Sequence, residues 1–389
     1  LSLREQAAAG TGASSGLREQ ARAWLEENLT GPFAGARGLG GPGREHEGHE
    51  IRLAWERHLG TAGWTCLAWP ERYGGRAASL ADQVAFHEEY ARADAPARVG
   101  HIGEGLLGPT LLRFGTDEQK ARFLPPIQRG EELWCQGYSE PDAGSDLAGV
   151  RTRAQLVGGR WVVDGQKVWT SLAHVADWCF VLCRTEPGSQ RHRGLSYLLV
   201  PMRQPGVEVR PIVQMTGTSE FNEVFFDGAV TDAANVVGAP GDGWRVAMAT
   251  LAHERGASTL GQQIGFRREL DKVIETARRT GAAEDPVLRD RLVRAWLELR
   301  IMRLNALRTM RPDPGPEASI GKLYWSEWHR RLGELAQAVQ GRAGLVAPEG
   351  ELNDLQRLYL FSRADTIYAG SSEIQRTIIA ERTLGLPRQ

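Results

Sequence analysis

Lysine is scarce in this chain. Only Lys120, Lys167, Lys272 and Lys322 occur among 47 basic residues, so the positive charge is almost all arginine. Against 48 acidic residues the formal net charge is −1, and no basic tract is dense enough to track a nucleic-acid backbone. Four cysteines, Cys66, Cys135, Cys179 and Cys183, are too few and too unevenly spaced for a disulfide framework or a zinc site, and no metal is expected. Long apolar runs are missing too. None approaches the roughly 18 residues of a membrane span, and Leu1 to Gly16 lacks the basic-then-apolar order of a secretion signal. The expectation is a cytoplasmic protein with no nucleic-acid or membrane partner.

What is present is ordinary for a globular enzyme: 389 residues, 41% hydrophobic and 24% charged, enough for two or three domains. Residues 1–16 read as a flexible N-terminus. Residues 17–133 follow a helical period in Leu17 to Leu29, Ile51 to Leu59, Leu80 to Ala93 with its Glu88-Glu89 face, and Asp117 to Phe123 behind a Thr116 cap. Over 134–232 the period becomes two. Arg160 to Trp169 reads as a hairpin turning at Asp164-Gly165, followed by strands at Ala176 to Arg184, Leu195 to Met202 and Glu223 to Phe226. Over 233–389 helices return, in Trp244 to Ala277, Val287 to Met310, Ala318 to Val339, Asp354 to Arg363 and Ser372 to Thr383. The fold class is therefore mostly α, with a small central β-domain between an N-terminal helical domain and a C-terminal four-helix domain. Two lures fall away. Cys179 and Cys183 share one face of an apolar strand and read as core, and Gly38-Leu-Gly-Gly-Pro-Gly43 follows no strand, so it reads as a loop rather than a dinucleotide fingerprint.

Three ordered motifs carry chemistry. They are Gly137-Tyr-Ser-Glu-Pro-Asp-Ala-Gly-Ser-Asp-Leu-Ala-Gly149, Gly165-Gln-Lys-Val-Trp-Thr-Ser171, and Asp365-Thr-Ile-Tyr-Ala-Gly-Ser-Ser-Glu-Ile-Gln-Arg376 running on to Leu384-Gly-Leu-Pro387. Weaker matches flank them at Gly63-Trp64 to Gly75, Gly115 to Pro125 and Phe221 to Asp227. In this order, over nearly the whole chain, they resemble the acyl-CoA dehydrogenase flavoproteins, whose fold is a helical domain, a β-barrel-like domain and a C-terminal four-helix bundle.

That resemblance implies FAD, held by Gln136, Tyr138, Ser139, Gly144 and Ser145 in a glycine-bearing loop whose N–H groups suit phosphate oxygens. Trp169, Thr170 and Ser171 would lie along the flavin ring, with the Ser171 hydroxyl reaching N5, where many relatives use threonine. Ser371, Ser372 and Glu373 follow the family's adenosine and pyrophosphate contacts. Gly341 would serve the adenine half of a neighbouring subunit's flavin, with Gln337 one residue away from the family's glutamine. Arg278-Arg279-Thr280-Gly281 stands where relatives carry an Arg-x-x-Phe-Gly element. A homodimer or homotetramer is implied, together with an electron-transfer flavoprotein or another electron acceptor.

Desaturating an acyl thioester needs a carboxylate that takes the α-proton, while flavin N5 takes the β-hydrogen as hydride. Many relatives place that glutamate where this chain has Ala369. A subset places it on the first long C-terminal helix, and the matching residue is Glu254, on a stripe with Trp244, Ala247, Leu251 and Ser258. Glu254 is therefore the expected base, with Asp365 next in line. Ser145, Arg255, Ala369 and Gly370 are the expected substrate contacts. The thioester oxygen would accept from the main-chain N–H of residue 369, which does not depend on the side chain there. Two other readings stay open: a flavin monooxygenase on the same fold, and a partner subunit of a heteromeric dehydrogenase.

Overall fold

The computed structural model describes residues 15–253, 258–308 and 318–387. In chain order its helices are α1 (Ser15–Asn28), α2 (His49–Thr61), α3 (Leu80–Arg92), α4 (Gly108–Phe114), α5 (Asp117–Gln128), α6 (Gly243–His253), α7 (Ser258–Thr280), α8 (Pro286–Arg308), α9 (Ala318–Gln340), α10 (Asp354–Phe361) and α11 (Ser372–Ile378). The strands are β1 (Trp134–Gly137), β2 (Arg153–Val157), β3 (Arg160–Ser171), β4 (Trp178–Arg184), β5 (Leu195–Pro201), β6 (Val207–Ile212) and β7 (Phe221–Asp232). The architecture is mostly helical with one β-sheet. Where the sequence placed a single helix over Trp244 to Ala277, α6 and α7 lie on either side of residues 254–257.

Two compact units divide the chain, and they regroup the segments of the three-part sequence reading. One takes Gly38–Ala78 and Pro96–Glu254; the other takes Leu1–Arg37, Ser79–Ala95 and Arg255–Gln389.

In the first unit the sheet order is β1-β4-β2-β3-β7-β6, with β5 pairing β4. The strand Trp178–Arg184 is apolar on both faces because both are covered: Phe180 and Leu182 enter one core with Leu107, Phe123 and Val246, while Cys179, Val181 and Cys183 enter the other with Val163, Val200 and Val224. All four cysteines are free and buried, and burial pushes the Cys183 thiol up to about 12. Helix α5 opens on a capping box, with Thr116 Oγ1 accepting from Gln119 N and the Gln119 side chain accepting from Thr116 N.

The expected hairpin at Asp164-Gly165 is a correction. Strand β3 runs unbroken from Arg160 to Ser171, and Asp164-Gly165 sits at a register shift against β7. The chain reverses earlier, at Gly158-Gly159 between β2 and β3. Both of those residues hold positive φ, 57° and 79°, which glycine adopts without a Cβ clash. Asp164 is used differently, its Oδ1 accepting from Gly228 N at 2.9 Å across the bulge.

The second unit is a helical bundle. Phe266, Leu270, Val273 and Ala277 repeat every three or four residues along α7 and meet Leu292, Ala295, Leu299 and Met302 of α8, and Trp328, Leu332, Leu335 and Val339 of α9. Glu88 and Glu89 of α3 are buried here and paired with arginines: Arg18 reaches both, at 2.8 and 2.7 Å, and Arg303 of α8 reaches Glu88 at 2.6 Å. The last helical stretch is α11 followed by a π-turn over Ile379–Thr383.

Candidate functional site

Each unit carries one group of the expected site residues. In the sheet unit the group is built around a buried lysine. Alternation along β3 turns Lys167 inward, where it is fully buried. Its Nζ donates to Tyr138 O at 3.0 Å, Leu182 O at 2.7 Å and Glu140 Oε1 at 2.8 Å. Glu140 in turn accepts from Arg151 N at 2.6 Å and Thr152 N at 2.9 Å. Burial pulls the Lys167 ammonium down while the Glu140 charge opposes it. Burial acts most strongly on Glu140 and would raise it, but the Lys167 charge and the hydrogen bonds from Lys167, Thr152 and Arg151 together outweigh burial and hold the carboxyl low. With Val168 N donating to Ser139 O at 2.9 Å, this pair fastens the 136–145 loop to β3, and so brings Gln136, Tyr138 and Ser139 to the strand that carries Trp169, Thr170 and Ser171.

Trp169 is the unusual residue of that strand. A second register shift falls between Lys167 and Thr170, and Trp169 takes φ 58° with 58% of its surface exposed, its ring edge-on to Phe221 at 6.0 Å. A left-handed backbone at a bulky residue costs about 1–3 kcal/mol, and an exposed indole recovers little of that by burial. Thr170, the next residue, has its Oγ1 buried without a partner among the described residues, and so has Gln136, on β1, its Nε2. Leaving such atoms unsatisfied costs about 1–3 kcal/mol each. An aromatic held to the outside at the cost of backbone strain fits a flat ring system such as a flavin. Gly144 and Ser145 are exposed and Ser171 half-buried.

The second group lies in the helical unit, on the turn between α10 and α11. Ala369 and Gly370 hold positive φ, 52° and 83°. At φ 83° glycine is favoured at 370, and a Cβ there would also displace Gln375 Nε2, 2.6 Å away. Gln375 Nε2 donates to Ala369 O at 3.0 Å, and among the described residues nothing accepts from Ala369 N–H. Ser371 caps α11 through Ile374 N, the Ser372 hydroxyl donates to Glu327 Oε1 at 2.9 Å, and Glu373 is exposed. The two serine hydroxyls are thus engaged within the protein, leaving main-chain groups and Glu373 to face outward. Gly341 follows the last residue of α9 with φ 59° and open space where a side chain would be. Gln337 is turned onto its own helix end, donating to Gly344 O at 3.2 Å.

Glu254 and Arg255 lie outside the described residues. The stripe leading to Glu254 is described: Ala247 is fully buried, and Trp244 and Leu251 pack on the same core. Asp365 is 1% exposed and bound on both oxygens, to His329 Nδ1 at 2.5 Å and to the Tyr368 hydroxyl at 2.6 Å. Both oxygens are thus engaged within the protein and the carboxyl is kept from the surface. The sequence reading passed over the Lys167–Glu140 pair and this histidine–aspartate contact. For the first a signal was present, one of only four lysines set in an alternating apolar strand.

Comparison with known proteins bears on the family and the fold. The family models for the acyl-CoA dehydrogenase N-terminal, middle and C-terminal domains match residues 12–131, 135–229 and 241–384. The chain is 65% identical over 376 residues to acyl-CoA dehydrogenase IpdE1 of Mycobacterium tuberculosis, covering 96% of this chain and 97% of that protein. Among solved structures, the Tcur3481-Tcur3483 steroid ACAD matches with a TM-score of 0.82 at 31% identity, over 96% of this chain and 98% of that one. The ChsE4-ChsE5 complex from Mycobacterium tuberculosis matches with a TM-score of 0.80 at 30% identity, over 96% and 97%.

Proposed function

Since the chain belongs to the acyl-CoA dehydrogenase family, oxidoreductases acting on CH–CH bonds, we propose that it is an FAD-dependent α,β-dehydrogenase of acyl thioesters with Glu254 as its base. The observation that carries the flavin is the strained, exposed Trp169 on the strand to which the 136–145 loop is fastened. Bound FAD would supply the hydride acceptor and, by its ribityl hydroxyl, one hydrogen bond to the thioester oxygen.

This chain's own residues would do the rest. Trp169 covers one flavin face, Ser171 and Thr170 line its edge, and the loop from Gln136 through Tyr138 and Ser139 to Gly144 and Ser145 holds the pyrimidine edge and pyrophosphate. The second group, Ser371, Ser372 and Glu373, follows the adenosine contacts, and Gly341 serves the adenine half of a neighbouring subunit's flavin. Ser145, Arg255, Ala369 and Gly370 bind the substrate, the Ala369 N–H holding the developing negative charge on the thioester oxygen. Glu254 takes the α-proton; in the sequence it continues the helical spacing of Trp244, Ala247 and Leu251, which pack inward. A methyl at 369 leaves room for branched or bulky acyl groups, and the relative titled a steroid ACAD supports including a steroid-derived thioester among the substrates tried.

The test is rapid bleaching of bound flavin by an acyl thioester without NADPH or a flavin reductase. Butyryl-, octanoyl-, isobutyryl- and steroid-derived acyl-CoA form the panel, with carrier-protein thioesters as a second arm. Bleaching supports the dehydrogenase; flavin that stays oxidised throughout, but turns over with NADPH and oxygen, supports the monooxygenase instead. A partner-subunit role is favoured by one observation, the missing carboxylate at Ala369, and by two relatives titled as pairs of different chains. Activity that appears only on adding a second, different chain would identify that role. The assembly is accordingly a dimer or a dimer of dimers, of identical or of two different chains, passing electrons to an electron-transfer flavoprotein or another acceptor in the cytoplasm.

A further inference from the structure

Behind the turn that carries Ala369 lies a charge cluster that the reaction as described does not use. His329, on α9, is 5% exposed. Its Nε2 meets Glu269 Oε2 of α7 at 2.8 Å and its Nδ1 meets Asp365 Oδ2 at 2.5 Å. Both ring nitrogens face carboxylates, so both donate. Burial acts against the charged ring, but the Glu269 charge and the hydrogen bonds to both carboxylates outweigh it and raise the pKa to about 10. Asp365 passes the restraint onward. Its second oxygen accepts from the Tyr368 hydroxyl at 2.6 Å, and its main-chain carbonyl accepts from Lys322 Nζ at 2.7 Å. Phe266 covers the imidazole at 4.5 Å between ring centroids.

Burying the Asp365 carboxylate and the His329 imidazole, with Glu269 reaching in from a partly exposed position, is a poor way to gain stability, since well-packed apolar side chains of similar volume commonly do as well or better. What the cluster does accomplish is geometric. It fixes residues 365 and 368 immediately before Ala369, whose own carbonyl is fixed from the other side by Gln375. Among the described residues the N–H groups of Ala369, Gly370 and Ser371 are left without an acceptor, and the Ala369 N–H is the first of them after the restrained residue 368.

We propose that His329, bridging Glu269 and Asp365, is a positioning residue that holds the Tyr368–Gly370 turn in register, so that the Ala369 N–H can bind the thioester oxygen. The proposal rests on the acyl-thioester reading above. It adds a residue 40 positions from the turn, on another helix, whose effect on the reaction runs only through Asp365.

Two arms test it on the flavin-loaded protein, with His329→Gln, and with Tyr368→Phe as a milder second variant that removes one hydroxyl at the edge of the cluster. The first arm needs no substrate. Amide exchange followed by mass spectrometry should quicken in peptides covering 364–371 by on the order of tenfold in His329→Gln, with α7 and α9 unchanged, and by less in Tyr368→Phe. The second arm uses whichever of butyryl-, octanoyl-, isobutyryl- or steroid-derived acyl-CoA bleaches the wild type fastest. A hydrogen bond that strengthens as charge develops on the oxygen should cost the flavin-reduction rate roughly 10- to 10²-fold, while thioester affinity changes by less than about threefold. Exchange at 364–371 that stays at the wild-type rate overturns the proposal. So does faster exchange with an unchanged reduction rate, because His329 would then be merely structural. A wild type bleached by no thioester overturns the parent reading and the proposed role of the N–H together, whereas the exchange arm still decides whether His329 holds the turn.

Discussion

At the scale of single residues the proton decides most. If Glu254 is the base, Glu254→Gln keeps shape and flavin but removes the acceptor, and stopped-flow bleaching by thioester should slow by at least about 10²-fold. Thioester binding should survive. Glu254→Gln/Ala369→Glu puts a carboxylate at the family's commoner position and should recover part of the rate; no loss in the single variant transfers the role away from Glu254. His329 makes a separate prediction. Its folded pKa of about 10 exceeds the ordinary value of 6.5, so folding takes up a proton, and the stability this contributes is complete below about pH 6.5 and lost as the pH rises toward 10. The thermal midpoint should therefore fall between pH 7 and 9.5 more steeply in the wild type than in His329→Gln. The charged groups around the ring are Glu269 and Asp365, with Lys322 and the Tyr368 hydroxyl bound to Asp365. Parallel slopes in the two proteins would place the titration elsewhere.

At the scale of elements, the loop at 136–145 depends on one strand residue. Lys167→Met strips Glu140 of its buried partner and should destabilise the fold by about 3–5 kcal/mol in denaturant titrations. Lys167→Met/Glu140→Gln should regain part of that, because no unpaired charge stays buried and the amide oxygen still accepts from one of the two N–H groups, Arg151 or Thr152, that bond to separate oxygens of Glu140. A double variant no more stable than the single would mean the lysine's bonds to Tyr138 O and Leu182 O, not the ion pair, dominate. The turn before α11 stores strain of another kind. Ala369 sits at φ 52°, a region in which an L-residue is disfavoured by about 1–2 kcal/mol. Ala369→Gly should accordingly raise stability by about 0.5–1 kcal/mol after glycine's entropic cost.

For the whole molecule, one non-covalent FAD per chain is expected, and a colourless protein that fails to take up FAD would remove the basis of the functional reading. Native mass measurement should give a dimer or a dimer of dimers; a flavin-loaded monomer would contradict the role assigned to Gly341. Among the described residues no helix is long and apolar enough to cross a membrane.

The sequence by itself determined the family, through three long motifs in order, and the element types, because periods of two and near 3.6 are local properties of a chain that must bury one face. It also marked Thr116 as a cap, and Cys179 and Cys183 as core. Tertiary structure decided what local pattern could not. Asp164-Gly165 carries the composition of a turn, yet pairing with β7 keeps β3 straight through it, and Gly158-Gly159 turns instead. Helices α1 and α3 stand among the first hundred residues but belong to the compact unit of the C-terminal helices, because the arginine partners of Glu88 come from as far along the chain as Arg303. Asp365 looked like a spare carboxylate until His329 and Tyr368 were found on its two oxygens. Their roles arise from partners 36 and 3 residues away, and only the folded chain brings the more distant one close.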